Sequence, residues 1–267
     1  MTMEHLMIAL GGLVLALVLF RAAFLTGRKL DNYGFVDVVW AFSFPLLAGF
    51  HAWTADGDPV RTGLLVLFVC LWSGRLAVHL TRRFIQEHPG EDPRYHQLRE
   101  KWGPRFSRNM YGLHLLQGAI AWILSLPFLL IVANPSPGIG IWETAGLALG
   151  VIALVGEAIA DAQLRRFKNH PSNRGLVCRT GLWGYSRHPN YFFQWLGWMA
   201  VAVFACGSPC GWVSIIAPLI MYYLLVEVTG VPPAEAHALQ SRGDAYRRYQ
   251  QTTNAFFPGP RGLPSGE

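Results

Sequence analysis

Residues 142–168 read WETAGLALGVIALVGEAIADAQLRRFK, an apolar run that turns polar without a break in helical spacing. Trp142–Ile159 approaches the ~20 residues a helix needs to cross ~30 Å of hydrocarbon. From Glu157 onward, Asp161, Arg165 and Lys168 recur at i, i+4, i+8 and i+11, so the four share one helical face. A span that continues as a polar wall suits a charged ligand held at the lipid boundary. A solvated interfacial face with snorkelling cations gives the same pattern.

Six further apolar blocks flank it: Leu6–Leu25, Phe35–Trp53, Gly63–Leu80, Leu113–Ala133, Tyr191–Cys206 and Trp212–Thr229. Pro45 interrupts one of these, and Tyr191–Cys206 is short. Of 267 residues 52% are hydrophobic and 14% charged, against roughly a quarter charged in soluble domains. Charges crowd into the gaps between blocks, which leaves too little polar surface to cover the apolar ones in water. In lipid the backbone must be satisfied within each segment, and alternating strands of ~10 residues are absent, so the spans are helices. The expectation is an all-α, polytopic membrane bundle of about seven transmembrane helices. No linker, low-complexity tract or repeat divides residues 1–267, which predicts one domain.

Basic residues set the orientation. One set of connections carries Arg28 and Lys29; then Arg82, Arg83, Arg94, Arg99, Lys101, Arg105 and Arg108; then Arg165, Arg166, Lys168, Arg174, Arg179 and Arg187. The tail adds Arg242, Arg247, Arg248 and Arg261. The alternate connections Thr54–Thr62, Asn134–Gly140 and Gly207–Gly211 hold only Arg61. The positive-inside rule then puts the N-terminus outside and the C-terminus in the cytoplasm. It also accounts for the net charge of +6, so no nucleic-acid partner is expected. A cleaved signal peptide is not expected, because Met1–Phe20 contains Glu4 and lacks a basic start. Cys206 and Cys210 leave a disulfide and two thiols both open, and no metal-ligand spacing appears.

Three long loops on the basic side, Thr81–Tyr111, Asp161–Asn190 and Pro232–Pro260, are where function is expected. Within them, Gly181-Leu-Trp-Gly-Tyr185-Ser-Arg187-His188-Pro189-Asn190-Tyr191 concentrates hydrogen-bond donors at a predicted helix start. Pro189 fits the first helical position, and the free N–H groups beside Tyr185, Arg187 and His188 make an anion site or a simple cap. Asn190 and Gln194 lie one turn apart, so their amides face the same way. Inside the apolar blocks Asp37, Arg75 and Glu227 are ionisable and Gln117 is polar. Such groups mark a site or a pair, and an Asp37–Arg75 ion pair with no catalytic role is the plain alternative. Tyr246 and Tyr249 lie three apart on a basic amphipathic segment, which interfacial anchoring alone explains.

Several blocks resemble the DUF1295 family of bacterial membrane proteins, relatives of the steroid 5-alpha-reductases and the sterol C14/C7 reductases. They are Asn32-Tyr33…Asp37-Val-Val-Trp40, Leu71-Trp72-Ser-Gly-Arg75-Leu76, Glu91-Asp-Pro-Arg94-Tyr95, Leu116-Gln117-Gly118, Asp161-Ala-Gln-Leu164, Gly181–Tyr191 and Tyr246…Tyr249…Phe256-Phe-Pro258. The resemblance implies a seven-helix bundle in the bacterial inner membrane that binds NADPH from the cytoplasmic side. It implies hydride transfer to a carbon–carbon double bond conjugated to a ketone, in a lipophilic, steroid-like small molecule reached through the membrane lipids. Asp37 stands by order along the chain for the acid that holds the substrate ketone, with Trp72 where a Tyr is usual and Arg75 beside it. Asp161, Asn190 and Gln194 match cofactor-binding positions, Gln194 replacing a usual Glu. Arg94, Tyr95, Gln117, Arg165, Lys168, Tyr185, Arg187, His188, Tyr191, Glu235 and Tyr246 complete the expected cofactor surface. No metal is implied.

Two other readings stand beside this one. An S-adenosylmethionine-dependent membrane methyltransferase of the isoprenylcysteine carboxyl methyltransferase type also carries an Arg-His-Pro turn and a tyrosine tail. It usually shows adjacent glutamates, whereas only Glu235 follows Pro232-Pro233 here. A lipid-binding or scaffold membrane protein would bind no nucleotide at all.

Overall fold

The computed structural model describes residues 2–260 and Gly262; Arg261, counted above among the basic tail residues, lies outside them. The described residues are helical with turns, and they form two compact units. One comprises the chain up to Thr144 together with Phe204–Ser214, and the other comprises Ala145–Val203 and the chain from Ile215 onward.

The first unit is built on α1 (Met3–Leu30), α2 (Phe35–Thr54), α3 (Pro59–Glu87), α4 (Pro93–Trp102) and α5 (Phe106–Val132), with the first turn of α6 (Ile141–Asn169). Starts and stops follow side-chain chemistry. The Asp58 carboxylate accepts from the Arg61 N–H at 2.8 Å and caps α3, with Pro59 in its first turn. Asp31 closes α1 in the left-handed conformation at φ 48°. In lipid no hydrophobic force draws helices together, so close approach of small residues has to do it. Accordingly Gly12 packs against the buried His51, and a Cβ on Gly118 would come within 3.3 Å of the Ala16 carbonyl and the Phe20 side chain.

The break expected at Pro45 does not occur, and α2 runs through it. A proline removes the N–H that would bond the carbonyl four residues back, here that of Ala41. Ser73 of α3 replaces it, its hydroxyl donating to the Ala41 oxygen at 2.8 Å. One hydroxyl on a neighbouring helix thus lets an apolar segment keep its proline.

At the opposite end from Asp31 the α2–α3, α5–α6 and Phe204–Ser214 connections interlock. Arg61, only 3% exposed, donates through Nε to Glu143 at 3.0 Å and through its other nitrogens to the carbonyls of Asn134, Ser136 and Gly138. Glu143 also accepts from the Gly140 N–H in the first turn of α6. Trp53, Trp142 and Trp212 are exposed near this end, the pattern of an interfacial aromatic belt.

The second unit holds the rest of α6, a 3₁₀ turn at Gly181–Gly184, and all but the last two residues of α7 (Pro189–Ala205). It continues with α8 (Ile216–Tyr223), which passes into a π turn at Leu224–Val228, and ends with α9 (Val231–Arg242) and α10 (Asp244–Thr252). Gly156 of α6 receives the Phe193 ring of α7 so closely that a Cβ there would lie 2.3 Å from it. Phe192, Trp195, Tyr222, Phe256 and Phe257 cluster beside α7, with centroids 5.2–6.2 Å apart. Glu227 is exposed in the π turn that closes its span.

Among the described residues six helical stretches are long and apolar enough to cross a membrane: Met3–Leu30, Phe35–Thr54, Pro59–Glu87, Pro93–Val132, Ile141–Asn169 and Gly211–Arg242. The protein is a multi-pass membrane protein. The seventh expected span is α7; at 17 residues it measures ~26 Å at ~1.5 Å per residue.

Candidate functional site

The expected site residues divide between the two units. Asp37, Trp72, Arg75, Arg94, Tyr95 and Gln117 belong to the first, and the others from Asp161 to Tyr246 belong to the second.

In the first unit the Glu91-Asp-Pro-Arg-Tyr95 block is a strap across the α1–α2 connection. Glu91, 4% exposed, accepts from the Tyr33 N–H at 2.8 Å and from Arg99 Nε at 2.9 Å. Arg99 also donates to Asp31 at 2.7 Å and lies over the Phe106 ring. Asn32 Nδ2 donates to the Gly90 carbonyl at 3.0 Å. Asp92 caps α4 and receives Arg94 through Nε at 3.0 Å, and Pro93 takes the first helical position. Arg94 then reaches the Asp37 carboxylate in the first turn of α2 at 2.7 Å. Tyr95 is buried beneath the guanidinium. Burial works to raise the Asp92 pKa, but the hydrogen bonds and charge of Arg94, then the charge of Arg83, outweigh it and hold that carboxyl below its ordinary value.

Asp37 thus forms an ion pair with Arg94 of the strap, a partner not expected from the apolar blocks alone. Its Oδ2 accepts from the Arg94 guanidinium. Trp72 is fully buried and stacked on Phe68 at 5.6 Å, and Arg75 is half-buried on α3. Gln117 and His114 occupy one face of α5 three residues apart. Sequence reasoning missed His114, although a His and a Gln at i and i+3 in an apolar run was the available signal.

In the second unit the polar face of α6 grades from Glu157, buried, through Asp161, half-buried, to Arg165 and Lys168, both exposed. Trp183 anchors the Gly181–Gly184 turn to α6 by donating to the Ala160 carbonyl at 3.0 Å, and Gln163 accepts from the Leu182 N–H. Ser186 turns the chain into α7 by accepting from the His188 N–H at 3.1 Å. Asn190 is half-buried and Tyr185 is 56% exposed. His188 and Tyr191 stack with planes 5° apart. One turn beyond Asn190, Gln194 is buried with an Oε1 that has no hydrogen-bond partner among the described residues.

Glu235 is the hub of this unit. It accepts from Arg187 Nε at 2.6 Å and from Gln250 at 2.8 Å, and it lies 3.2 Å from His188 Nε2. Arg187 further donates to the carbonyls of Gln250 and Thr253. The tail tyrosines correct the anchoring reading: both are buried in protein. Tyr249 donates to the carbonyls of Trp183 and Ser186, and Tyr246 OH lies 3.5 Å from Glu235. Burial, and then the Glu235 charge, push the Tyr246 phenol above its ordinary pKa, so it stays a donor.

A family model described as "Protein of unknown function (DUF1295)" matches residues 23–253. The chain belongs to this family. The strap, the Arg-His-Pro turn and Tyr246–Tyr249 all fall within the matched stretch. An uncharacterized protein of Schizosaccharomyces pombe is 26% identical over 92% of the chain and 78% of its own length. A Delta(14)-sterol reductase of Gallus gallus is 28% identical over 53% of the chain, a match spanning 24% of that protein. No solved structure matches the chain.

Proposed function

We propose that the protein is an NADPH-dependent membrane reductase acting on a carbon–carbon double bond conjugated to a ketone in a lipophilic, steroid-like substrate. The observation that carries this reading is the amide face of α7. Gln194 buries an unpartnered acceptor one turn from Asn190, and a buried polar atom left unpaired costs ~1–3 kcal/mol. A carboxamide N–H of a nicotinamide is a donor suited to it. The exposed cations Arg165 and Lys168 and the exposed Tyr185 belong to the same unit and suit the phosphates and a planar ring. The partial match to a sterol reductase supports the chemistry.

When bound, NADPH supplies the hydride. The chain's own task is to polarise the ketone, because negative charge grows on its oxygen as the β-carbon is reduced. In the first unit Arg94, held in place by Asp37 and Asp92, offers a guanidinium donor of the kind such an oxygen needs. Trp72 supplies an apolar wall in the same unit. Asp161, Asn190, Tyr191 and Gln194 would hold the cofactor, while Arg187, His188, Glu235 and Tyr246 shape the turn behind it. In this reading the N-terminus lies outside a bacterial inner membrane and the nucleotide is reached from the cytoplasm.

Titration of the detergent-purified protein with NADPH and with S-adenosylmethionine tests the proposal. Selective NADPH binding is expected, weakened about tenfold or more in Asn190→Ala by loss of a buried hydrogen bond. Selective binding of S-adenosylmethionine would transfer the protein to the methyltransferase class, and binding of neither would end the enzyme reading.

A further inference from the structure

α5 carries two buried acceptors on one face that the described residues leave unsatisfied. The His114 side chain is fully buried, and its Nδ1 lies 2.9 Å from the Met110 carbonyl oxygen. A carbonyl only accepts, so Nδ1 bears the proton and donates it. In the neutral ring that tautomer leaves a lone pair on Nε2, which is buried and has no partner. Gln117, three residues further on, buries its Oε1 in the same condition. The surroundings of His114 are aromatic: Phe24 and Tyr33 stand edge-on to the imidazole with centroids at 5.6 and 6.0 Å.

We propose that His114 Nε2 and Gln117 Oε1 are the receptor for a hydroxyl group of a lipophilic substrate, separate from the reducible bond and its ketone. The chemistry of the pair selects this class. A ketone or ether oxygen only accepts and satisfies neither atom. An ammonium donates, but two neutral acceptors among aromatic rings do not offset the cost of removing its charge from water. An alcohol is neutral, its single hydrogen can be shared between the two acceptors in one three-centre hydrogen bond, and it brings an apolar skeleton that the aromatic wall accepts. The inference rests on the reading of the protein as one that takes a lipophilic substrate. It does not rest on the hydride chemistry.

The test is binding without turnover, using alcohol and methyl-ether pairs that share a skeleton and differ in the donor. Cholesterol, farnesol and hexadecanol, each with its methyl ether, are titrated against the full chain in nanodiscs by thermal shift. In at least one pair the alcohol should bind about tenfold more tightly than the ether, the worth of one buried hydrogen bond. Gln117→Met should bring that ratio close to one, and His114→Phe should do the same. Gln117 is only half-buried, so its variant keeps the test alive if the histidine variant does not fold. Equal binding of alcohol and ether in every pair, or no binding in any, overturns the receptor and leaves the two atoms to water. NADPH titration of the same samples keeps the two claims apart. Nucleotide binding without hydroxyl selectivity removes the receptor alone, and hydroxyl selectivity without nucleotide binding removes the reductase reading alone.

Discussion

Replacing Glu235 by alanine should release the C-terminal helices from the Arg-His-Pro turn. The carboxylate is the shared partner of Arg187, His188 and Gln250, with side-chain exposures of 15%, 11% and 7% for Glu235, Arg187 and His188. Removing one member of a buried ion pair costs ~3–5 kcal/mol, because the other charge stays out of water without compensation. Arg187 would still donate to the Gln250 and Thr253 carbonyls, which places the loss near ~3 kcal/mol. At ~1.4 kcal/mol per tenfold, the population with α10 detached should rise on the order of 100-fold. Hydrogen exchange of the peptide spanning 244–256, followed by mass spectrometry in detergent, reads this directly. The single variant should exchange far faster there than wild type, while peptides from α1 and α5 stay unchanged. A double replacement, Arg187→Met with Glu235→Leu, should exchange more slowly than Glu235→Ala, since apolar groups carry no desolvation debt. Exchange in Glu235→Ala within twofold of wild type would refute the assignment of Glu235 as the clasp.

Three further outcomes are expected. Ser73→Ala should destabilise the first unit by ~1–3 kcal/mol, because the Ala41 carbonyl loses the hydroxyl that replaces the bond Pro45 removes; Ser73→Thr should keep the wild-type melting temperature. Gly156→Val should destabilise by ~1–3 kcal/mol, as its Cβ would overlap the Phe193 ring; adding Phe193→Ala should restore part of the loss in the same melting assay. The Asp92 carboxyl is held below its ordinary pKa, so its contribution is complete above the unfolded value of ~3.9 and disappears as pH falls through the folded one. Exchange of peptides around 90–99 should therefore be flat from about pH 7 to 5 after correction for intrinsic rates, then rise below about pH 4, and Asp92→Asn should abolish that acid limb.

The membrane class was readable because apolar run length is a property of the chain itself. Six of the seven blocks recur as helices long enough to cross a bilayer, and the block flagged as short is the one that falls below that length. What could not be read was who satisfies whom. Pro45 looked like an interruption because its remedy, Ser73, sits on another helix. Asp37 was visible as a costly acid, but its partner Arg94 comes from a loop far along the chain and was expected on the cofactor surface instead. Tyr246 and Tyr249 had the spacing of a lipid anchor, and amphipathic spacing does not say whether lipid or protein covers the apolar side. The Glu91–Tyr95 block stood out as a motif, yet its work as a strap depends on Tyr33 and Asp31, far away in sequence. His114 was overlooked because one histidine among leucines has no pattern until its neighbour Gln117 is read with it.

Arg61 changes how the charge ledger of the molecule is counted. It is the one cation in the three alternate connections, and it is sealed away by Glu143 and a ring of carbonyls. A residue whose charge is cancelled on the spot attracts no headgroup phosphate and gives the membrane potential nothing to act on. Those connections therefore offer water no basic group at all, and the contrast in charge between the two ends of the spans is sharper than a tally of letters suggests.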